Sequence, residues 1–317
     1  MRTALLALLL LAVCAPARAG FGTSDIGTSG AQFLKLGAGA RAEGMGEAYT
    51  AVVDGPDAMY WNPAALTRLS AAHEATVMDS SLPAQINYGF LAYAQPLTQY
   101  GGIGTSLQYV TQPGIAETDS SGFNTGSTFH PSDLAASVGG AYKIHYEDGG
   151  VFNGASVGVT GKYIQSTITK TASTFGADIG FLSAPFKVLD RDFRFSYVAQ
   201  NLGGQLRFQQ LSDPLPTNLR LGSAWNLTRD WVFAADFNEP LDNAPYFAVG
   251  TEYTAHFDQA SFSGRLGLNT RALGATGGLN GMSMGIGAKF RRIGMDYSFL
   301  TMGGLGVNHY VSVNFSF

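Results

Sequence analysis

Apolar and polar residues alternate along most of the chain after about residue 72. In the segment 293–299, for example, Ile293, Met295 and Phe299 share one parity, whereas Asp296 lies on the other. Successive side chains of a β-strand point to opposite faces, so each such segment has one apolar face and one polar face. The pattern predicts β-strands that separate a polar environment from an apolar one.

About fourteen segments show this alternation. They span 73–79, 84–96, 101–112, 133–146, 154–169, 173–186, 192–202, 216–227, 230–238, 244–254, 260–269, 282–291, 293–300 and 307–317. A single-chain bacterial membrane barrel requires an even number of strands, with long loops on one rim and tight turns on the other. The long links 113–132, 203–215 and 270–281 all follow odd-numbered strands. The pattern therefore predicts an all-β, antiparallel transmembrane barrel over residues 72–317.

Charged residues in these strands lie on the polar parity, which lines the lumen of a membrane barrel. The inward-facing charges have mixed signs; they are Lys162, Arg194, Arg220, Asp236, Glu252, Lys289, Arg291 and Asp296. We predict a lumen charge network of Arg220, Asp236, Lys289, Arg291 and Asp296. In this network the tight turns set Lys289 opposite Asp296 and Arg220 diagonal to Asp236. Such a network predicts a largely closed interior with low ion conductance.

Composition narrows the class of protein without deciding it. Only 13% of residues are charged, and the chain contains 41 Gly, 21 Phe, 14 Tyr and 3 Trp. After residue 19, no apolar run approaches the ~18 residues that a membrane helix needs. These features suit a barrel, although composition alone leaves a large soluble β-sandwich open. The net charge of −4 argues against nucleic acid as a partner.

The first nineteen residues have the features of an export signal. Met1-Arg2 is a short basic region, 5–13 is apolar, and Ala17-Arg18-Ala19 is a small-x-small cleavage site. We therefore expect a cleaved signal peptide at 1–19 and a location in the bacterial outer membrane. The single cysteine, Cys14, would be removed; its use as a lipidation site is disfavoured because a bulky Val13 precedes it.

Residues 20–71 do not alternate and are rich in Gly and Ala. Asn62-Pro63 forces an extended Asn and begins a turn or a short helix at the proline. Such a segment cannot face lipid as a strand, because its backbone groups would be unpaired in hydrocarbon. We predict that residues 20–71 form a plug with short helices inside the barrel; the alternative is a disordered periplasmic tail.

Two motifs in this segment carry a family resemblance. The run 36–48, Leu-Gly-Ala-Gly-Ala-Arg-Ala-Glu-Gly-Met-Gly-Glu-Ala, and the run 57–66, Asp-Ala-Met-Tyr-Trp-Asn-Pro-Ala-Ala-Leu, resemble the opening of the PorV/PorQ family. That family belongs with the FadL-like outer-membrane barrels. The likeness continues through 201–203, 213–222 and the closing strand, which ends on Phe317 as bacterial outer-membrane barrels do. Glu47 departs from the family pattern, which more often has a small residue there.

The resemblance implies fourteen strands and an amino-terminal hatch. Its plug motif, by position in this chain, consists of Asp57, Tyr60, Trp61, Asn62 and Pro63. PorV-like members serve type IX secretion and receive cargo proteins by a carboxy-terminal signal. FadL-like relatives pass hydrophobic small molecules inward through the barrel. The resemblance thus implies outer-membrane lipid as the surroundings and either secreted cargo and secretion-system proteins or hydrophobic small molecules as partners.

The long loops favour the secretion hypothesis over hydrophobic uptake. Loop 113–132 has only Ile115, Phe123 and Phe129 as apolar anchors, and loop 203–215 has Leu206, Phe208 and Leu211. That is little lining for a fatty-acid pocket, yet it is enough for hot spots of a protein interface. The sequence predicts a secretion accessory or cargo-handling barrel, with a FadL-like uptake channel as the alternative.

Signals for an enzyme are weak. Residues 281–285, Gly-Met-Ser-Met-Gly, match the G-x-S-x-G nucleophile motif, which requires a strand-to-helix turn. Here the motif opens an alternating strand instead. The five histidines are scattered, and none has a metal-ligand spacing. We therefore predict no catalytic residue, metal or cofactor.

Overall fold

The computed structural model describes residues 26–146, 150, 152–208, 211–272 and 280–317. The expected signal peptide, 1–19, lies outside these residues. The strands are β1 (Glu74–Leu82), β2 (Ile86–Thr98), β3 (Gly101–Thr111), β4 (Ile115–Thr118), β5 (Asn124–Phe129), β6 (Ser132–Lys143), β7 (Ser156–Thr167), β8 (Thr171–Leu182), β9 (Phe186–Val188), β10 (Arg191–Gly203), β11 (Gln205–Phe208), β12 (Leu211–Pro214), β13 (Asn218–Asn226), β14 (Trp231–Pro240), β15 (Tyr246–His256), β16 (Ala260–Asn269), β17 (Met282–Phe290), β18 (Ile293–Thr301) and β19 (Val307–Ser316).

Fourteen of the described strands form a closed antiparallel barrel. Its order follows the chain, β1-β2-β3-β6-β7-β8-β10-β13 and on to β19, and β19 pairs with β1 to close it. Each barrel strand coincides, within a few residues at its ends, with one of the fourteen alternating segments. The predicted fold class is confirmed, and a β-sandwich is excluded because the sheet has no free edge.

The apolar parity faces outward, as predicted. On β18, Met295 is 56% exposed, whereas its neighbour Asp296 is 8% exposed. Apolar side chains are exposed around the barrel, for example Ile179 on β8, Phe247 on β15 and Val311 on β19. Lipid is the environment that covers such a surface. None of the helices in the described ranges is long and apolar enough to span a membrane.

The two rims of the barrel differ, and we name them by their connections. The loop rim carries the long links 112–131 and 204–217, whereas the turn rim carries short links such as 227–230 and 291–292. One link on the turn rim, 144–155, departs from this rule. In outer-membrane barrels the long loops are extracellular and the short turns periplasmic.

The predicted loops contain strands that the alternation did not indicate. Residues 113–132 hold the hairpin β4–β5, and residues 203–215 hold the hairpin β11–β12. At the turn rim, β9 pairs with the start of β10 and extends this hairpin beyond the adjacent wall. These strands are three to six residues long, which is too short for a reliable period-of-two signal.

Residues 26–73, which we call the plug segment, are mostly buried, and their helices and turns pack against the wall of the barrel. Helix α1 (Ala40–Gly44) packs on β16–β19, and the 3₁₀ turn Pro63–Arg68 packs on β6, β7 and β8. A second helix, α2 (Ala58–Trp61), lies between them. The hydrophobic core therefore sits between plug and wall, and its largest fully buried side chain is Trp61.

Glycines allow the plug backbone to touch the wall. A Cβ added at Gly267 of β16 would lie 2.1 Å from the Gly46 nitrogen, and one at Gly158 of β7 would lie 2.4 Å from the Ala64 nitrogen. Backbone-to-backbone contact at these points excludes any side chain. Part of the high glycine content of the chain is therefore a consequence of the plug.

Candidate functional site

Asn62 ties the plug to the wall. Its Oδ1 accepts a hydrogen bond from the Ala64 nitrogen at 3.1 Å and so caps the turn that begins at Pro63. Its Nδ2 donates to the carbonyl oxygens of Thr50, at 3.0 Å, and of Phe181 on β8, at 3.2 Å. One fully buried amide thus joins two parts of the plug to the barrel.

Trp61 occupies the centre of the lumen. Its Nε1 donates to the Ala38 carbonyl at 2.6 Å, and its ring packs edge-on against Tyr49 and Tyr60. The guanidinium of Arg220, on β13, lies over the ring with Cζ 4.6 Å from its centroid. A desolvated cation–π contact of this kind is worth about 2 kcal/mol, and it couples the plug to a wall charge.

Asp57 is a buried carboxyl at the start of α2. Its Oδ1 has no hydrogen-bond partner among the described residues, and Gly39 leaves room for its other oxygen. Burial, together with the nearby carboxylate of Asp296, raises the pKa of Asp57 to about 7. The neutral acid is therefore substantially populated near neutral pH.

All five residues of the predicted plug motif are buried in the lumen. Asp57, Trp61, Asn62 and Pro63 are placed as described, and the Tyr60 hydroxyl donates to the Leu34 carbonyl at 3.1 Å. The motif thus brings together a cap, a ring contact and a buried acid within seven residues. These contacts give the motif a structural role in fixing the plug.

A ladder of ion pairs runs from the plug across the wall. Arg41 of α1 binds Glu252 of β15 through two bonds, with Nε 2.9 Å from Oε2 and Nη2 2.7 Å from Oε1. Glu252 also accepts from Nε of Arg265 at 2.5 Å, and Nη1 of Arg265 lies 2.6 Å from Oδ1 of Asp296. Asn314 donates to the other oxygen of Asp296 at 2.7 Å. Bidentate arginine–carboxylate contacts fix geometry as well as supplying energy.

A second cluster surrounds Glu47, the position that departs from the family pattern. Glu47 has a left-handed φ of 70°, accepts from Asn269 at 2.9 Å and pairs with Arg271 at 3.2 Å. Arg220 approaches it at 3.8 Å. One turn earlier, burial and the repulsion of Glu47 raise the pKa of Glu43 well above its usual range. The cluster thus places the carboxylate of Glu47 between two arginines and beside a second carboxyl, that of Glu43, whose charged form is disfavoured.

The structure assembles only part of the predicted lumen charge network. Arg220 is paired in register with Asn238, so Asp236, two residues along β14, is its diagonal neighbour, as predicted. Arg220 Nε donates to Asn238 at 2.5 Å, while Asp236 accepts from the backbone nitrogens of Tyr49 and Thr50 at 3.3 and 3.1 Å. Asp236 therefore binds the backbone of the plug, whereas Arg220 binds Asn238 and packs over the ring of Trp61.

The prediction that Lys289 faces Asp296 is wrong. The β17–β18 turn consists of residues 291–292, so Lys289 pairs with Gly294, and Asp296 pairs with Gly287. Lys289 is exposed at the turn rim. Arg291 lies in the turn itself and donates to Gln259 at 3.0–3.1 Å. Neither residue joins the ion-pair ladder.

Sequence reasoning missed several members of the site. Arg265 has the inward parity on β16 and could have been found by the same alternation. The plug residues Arg41, Glu43 and Glu47 carry no such signal, because the plug has no strand period. Their roles depend on where the plug meets the wall.

Two cavities lie on opposite sides of the plug. The larger, of about 600 Å³, opens at the turn rim and is lined mainly by charged and polar residues from plug and wall, with some apolar ones such as Val52 and Trp231. The smaller, of about 30 Å³, lies towards the loop rim beside Leu34 and Tyr246. The two share no lining residue, because Trp61, Asn62 and the cluster around Glu47 fill the lumen between them.

The two hairpins on the loop rim, β4–β5 and β11–β12, differ in how far their side chains are exposed. In β4–β5 almost every residue is exposed, including Phe123 in its turn at 73%. By contrast, Leu206 of β11 is fully buried and packs against Gly30, whose nitrogen donates to the Pro214 carbonyl at 2.9 Å. The expectation that Leu206 forms part of an exposed partner surface is wrong, because β11–β12 folds over the plug. The side chain of Leu211 lies outside the described part.

The molecule is therefore an outer-membrane type of β-barrel with fourteen strands and a lumen filled by its amino-terminal segment. A family model described as "Type IX secretion system protein PorV" matches residues 22–237. The chain belongs to the PorV family, which confirms the predicted resemblance. None of the curated proteins matches the sequence significantly.

Solved structures share the fold at low identity. The Pseudomonas putida toluene transporter TodX gives a TM-score of 0.56 at 13% identity, covering 88% of this chain and 96% of that one. The Ralstonia pickettii toluene transporter TbuX gives 0.56 at 14%, covering 89% and 98%. The CymD monoaromatic hydrocarbon channel gives 0.57 at 12%, covering 89% and 98%. At such identities the likeness concerns the fold alone.

Proposed function

We propose that this protein is a non-enzymatic accessory of a type IX-like secretion route, and that it handles secreted proteins at the extracellular rim of the barrel. Membership of the PorV family supports this role. We also propose that residues 1–19 direct export as a cleaved signal peptide.

The observation that carries the proposal is the filled lumen. The centre of the barrel is occupied by Trp61 and Asn62, both fully buried, and by the cluster around Glu47. The larger cavity ends against the plug and is lined by charges such as Arg41 and Glu252. A conduit for apolar molecules requires an apolar lining. Such a lumen does not favour passage of apolar molecules, and the role in secretion is therefore assigned to the rim surface.

The hairpin β4–β5 is the surface best suited to a protein partner. Both of its edges are unpaired in the described structure, and Ile115 and Phe123 are 43% and 73% exposed. An isolated two-stranded hairpin is marginally stable in water, and a free edge is a template for strand addition. The second hairpin, β11–β12, is already engaged with the plug.

The alternative is a FadL-like channel for hydrophobic small molecules. It is favoured by the fold shared with the hydrocarbon channels TodX, TbuX and CymD. The charged residues that line the larger cavity, and the fully buried Trp61 and Asn62, which line neither of the two cavities, argue against it.

The non-enzymatic assignment is supported by the position of Ser283. The G-x-S-x-G motif begins β17, and the Ser283 hydroxyl lies on its inner face with no hydrogen-bond partner among the described residues. A nucleophile elbow requires a sharp turn into a helix and a base within reach of the hydroxyl.

The test is co-purification from native outer membranes. We expect secreted proteins that carry a carboxy-terminal sorting domain to accompany the wild type, and to be lost when residues 115–129 are deleted or when Phe123 is changed to Ser. Phe257→Ser is the matched control, since Phe257 is 64% exposed in a turn on the opposite rim. If wild type carries no such protein but does carry a lipid or fatty acid that the deletion releases, the uptake hypothesis replaces this one.

A further inference from the structure

The cavity at the turn rim exists because the wall beneath the plug has small side chains. Ala224 of β13, Ser263 of β16, Gly287 of β17 and Gly294 of β18 all line it. Larger residues at these inward positions would fill a barrel of this width. The volume of about 600 Å³ falls in the range of small-molecule sites, roughly 300–1,000 Å³.

Apart from Asp57, the carboxyl groups that line this cavity already have partners. Asp54 is 2.6 Å from Arg41, and Glu252 binds both Arg41 and Arg265. The others are paired as follows: Asp296 with Arg265 and Asn314, Glu74 with the backbone nitrogens of Ser70 and Ala71, and Asp230 with His256 at 3.7 Å. None of these carboxylates forms an ion pair with the remaining described cations that line the cavity.

Four cations of the cavity have no carboxylate of their own. The side chains of Arg194, Arg229 and Lys289 form no hydrogen bond or ion pair within the described ranges. Arg68 donates only to backbone carbonyls, those of residues 51–53, at 2.8–3.4 Å. Arg229 and Lys289 are at the exposed rim, but Arg68 and Arg194 are half-buried. The guanidinium groups of Arg68 and Arg194 are therefore only partly hydrated.

Arg68, from the plug, and Arg194, from β10, line the same cavity. The carboxylates that interact electrostatically with Arg194 are those of Asp192 and Asp54. Asp192 is bound to Lys187 at 2.9 Å, and Asp54 is bound to Arg41. Two partly desolvated guanidinium groups that face one cavity repel each other unless an anion lies between them.

We propose that the cavity binds a small anion that carries carboxylate or phosphate groups and enters from the periplasm, with Arg68 and Arg194 as its principal contacts. The planar donor fork of arginine matches both kinds of oxyanion. Arg229 and Lys289 at the mouth would attract such a ligand and hold its outer groups. This inference is independent of any role in secretion, since it concerns the opposite rim from β4–β5.

The test is isothermal titration of the full-length mature protein in neutral detergent at constant ionic strength. Inorganic phosphate and citrate are titrated separately against a chloride background. We expect one saturable site per barrel for at least one of them, and whichever binds identifies the oxyanion. Arg194→Gln should weaken that binding roughly tenfold to a hundredfold, as expected for one charge-assisted contact.

Arg191→Gln is the matched control. Arg191 lies three residues earlier on the same strand, is exposed, and does not line the cavity. The Arg191→Gln variant should bind the anion as tightly as wild type does. Both variants should keep the heat-modifiable migration of a folded barrel. The proposal is overturned if neither anion binds above the chloride background, if Arg194→Gln binds like wild type, or if both variants lose binding equally.

Discussion

Arg265 on β16 reaches Asp296 on β18 across the backbone of Gly287, with Nη1 2.6 Å from Oδ1. A Cβ at position 287 would lie 2.4 Å from the Asp296 oxygen and 2.8 Å from the arginine nitrogen. The ion pair thus spans an intervening strand because that strand has no side chain there. The ladder of ion pairs that holds Arg41 of the plug therefore depends on the absence of a side chain at position 287.

We expect Gly287→Ala to displace the Arg265–Asp296 pair and to lower the free energy of unfolding by about 1–3 kcal/mol, less than the loss of a whole buried partner. Gly264→Ala, on β16, is the control, because a Cβ there meets nothing within 4 Å. Urea unfolding in detergent, followed by heat-modifiable migration, measures both. Equal stability of the two variants would contradict the role given to Gly287.

A second prediction concerns the contact of the plug with β7. Gly158→Ala should push residues 63–64 off the wall, because the new Cβ would lie 2.4 Å from the Pro63 carbonyl carbon and the Ala64 nitrogen. A cysteine at Ala58, which is fully buried in wild type, should then react faster with a membrane-impermeant maleimide in opened cells. Gly161→Ala on the same strand has open space and should leave labelling slow. Labelling of the Ala58→Cys single variant at the rate of a denatured sample would instead indicate a free tail.

The raised pKa of Asp57 makes the stability of the folded plug depend on pH. Folded Asp57 keeps its proton up to about pH 7, whereas a solvated Asp loses it near pH 4. The folded state therefore binds more protons in this window, and the stabilisation is lost as the pH rises from about 4 to 7.

We expect unfolding midpoints of wild type to fall between pH 4 and pH 7, with a free-energy change of at most the order of 4 kcal/mol. Asp57→Asn, which stays neutral, should flatten this slope. Asp258→Asn, in an exposed turn, is the control and should retain it. A slope that survives Asp57→Asn unchanged would assign the dependence to other groups.

The filled lumen predicts low ion conductance. Planar-bilayer recordings of wild type should show no stable, large, porin-like pore, because the plug and its ion pairs separate the two cavities. The double variant Gly102→Ala/Gly158→Ala should raise conductance, since the first change places a Cβ 2.1 Å from the Leu66 carbonyl oxygen. Gly161→Ala should conduct like wild type. A large steady pore in wild type would refute the closed interior.

The fold was predictable because its signal is local. Each barrel strand separates lipid from lumen, so alternation such as that of Met295, Asp296 and Tyr297 fixes which side chain faces outward. The lengths of the connections then indicate which rim is extracellular and which is periplasmic. Family motifs at 36–48 and 57–66 gave the plug motif residues, whose burial the structure describes.

The partners of the charged residues were not predictable in the same way. Parity placed Asp296 inward, but the position of the turn, at 291–292 rather than one residue later, decided that it faces Gly287 and not Lys289. The sequence predicted that Leu206 is an exposed apolar anchor of a partner surface. The packing of β11–β12 against Gly30 buries it instead. Each of these outcomes depends on contacts between distant parts of the chain.

The sequence by itself determined the antiparallel barrel, its lipid-facing and lumen-facing residues and its family, because a membrane imposes a period of two on every strand. Only the tertiary structure decided which charges meet. The plug residues Arg41 and Glu47 find Glu252 and Arg271 across more than two hundred residues of sequence. No local pattern specifies these contacts, because they depend on how the plug sits among the inward side chains of many strands.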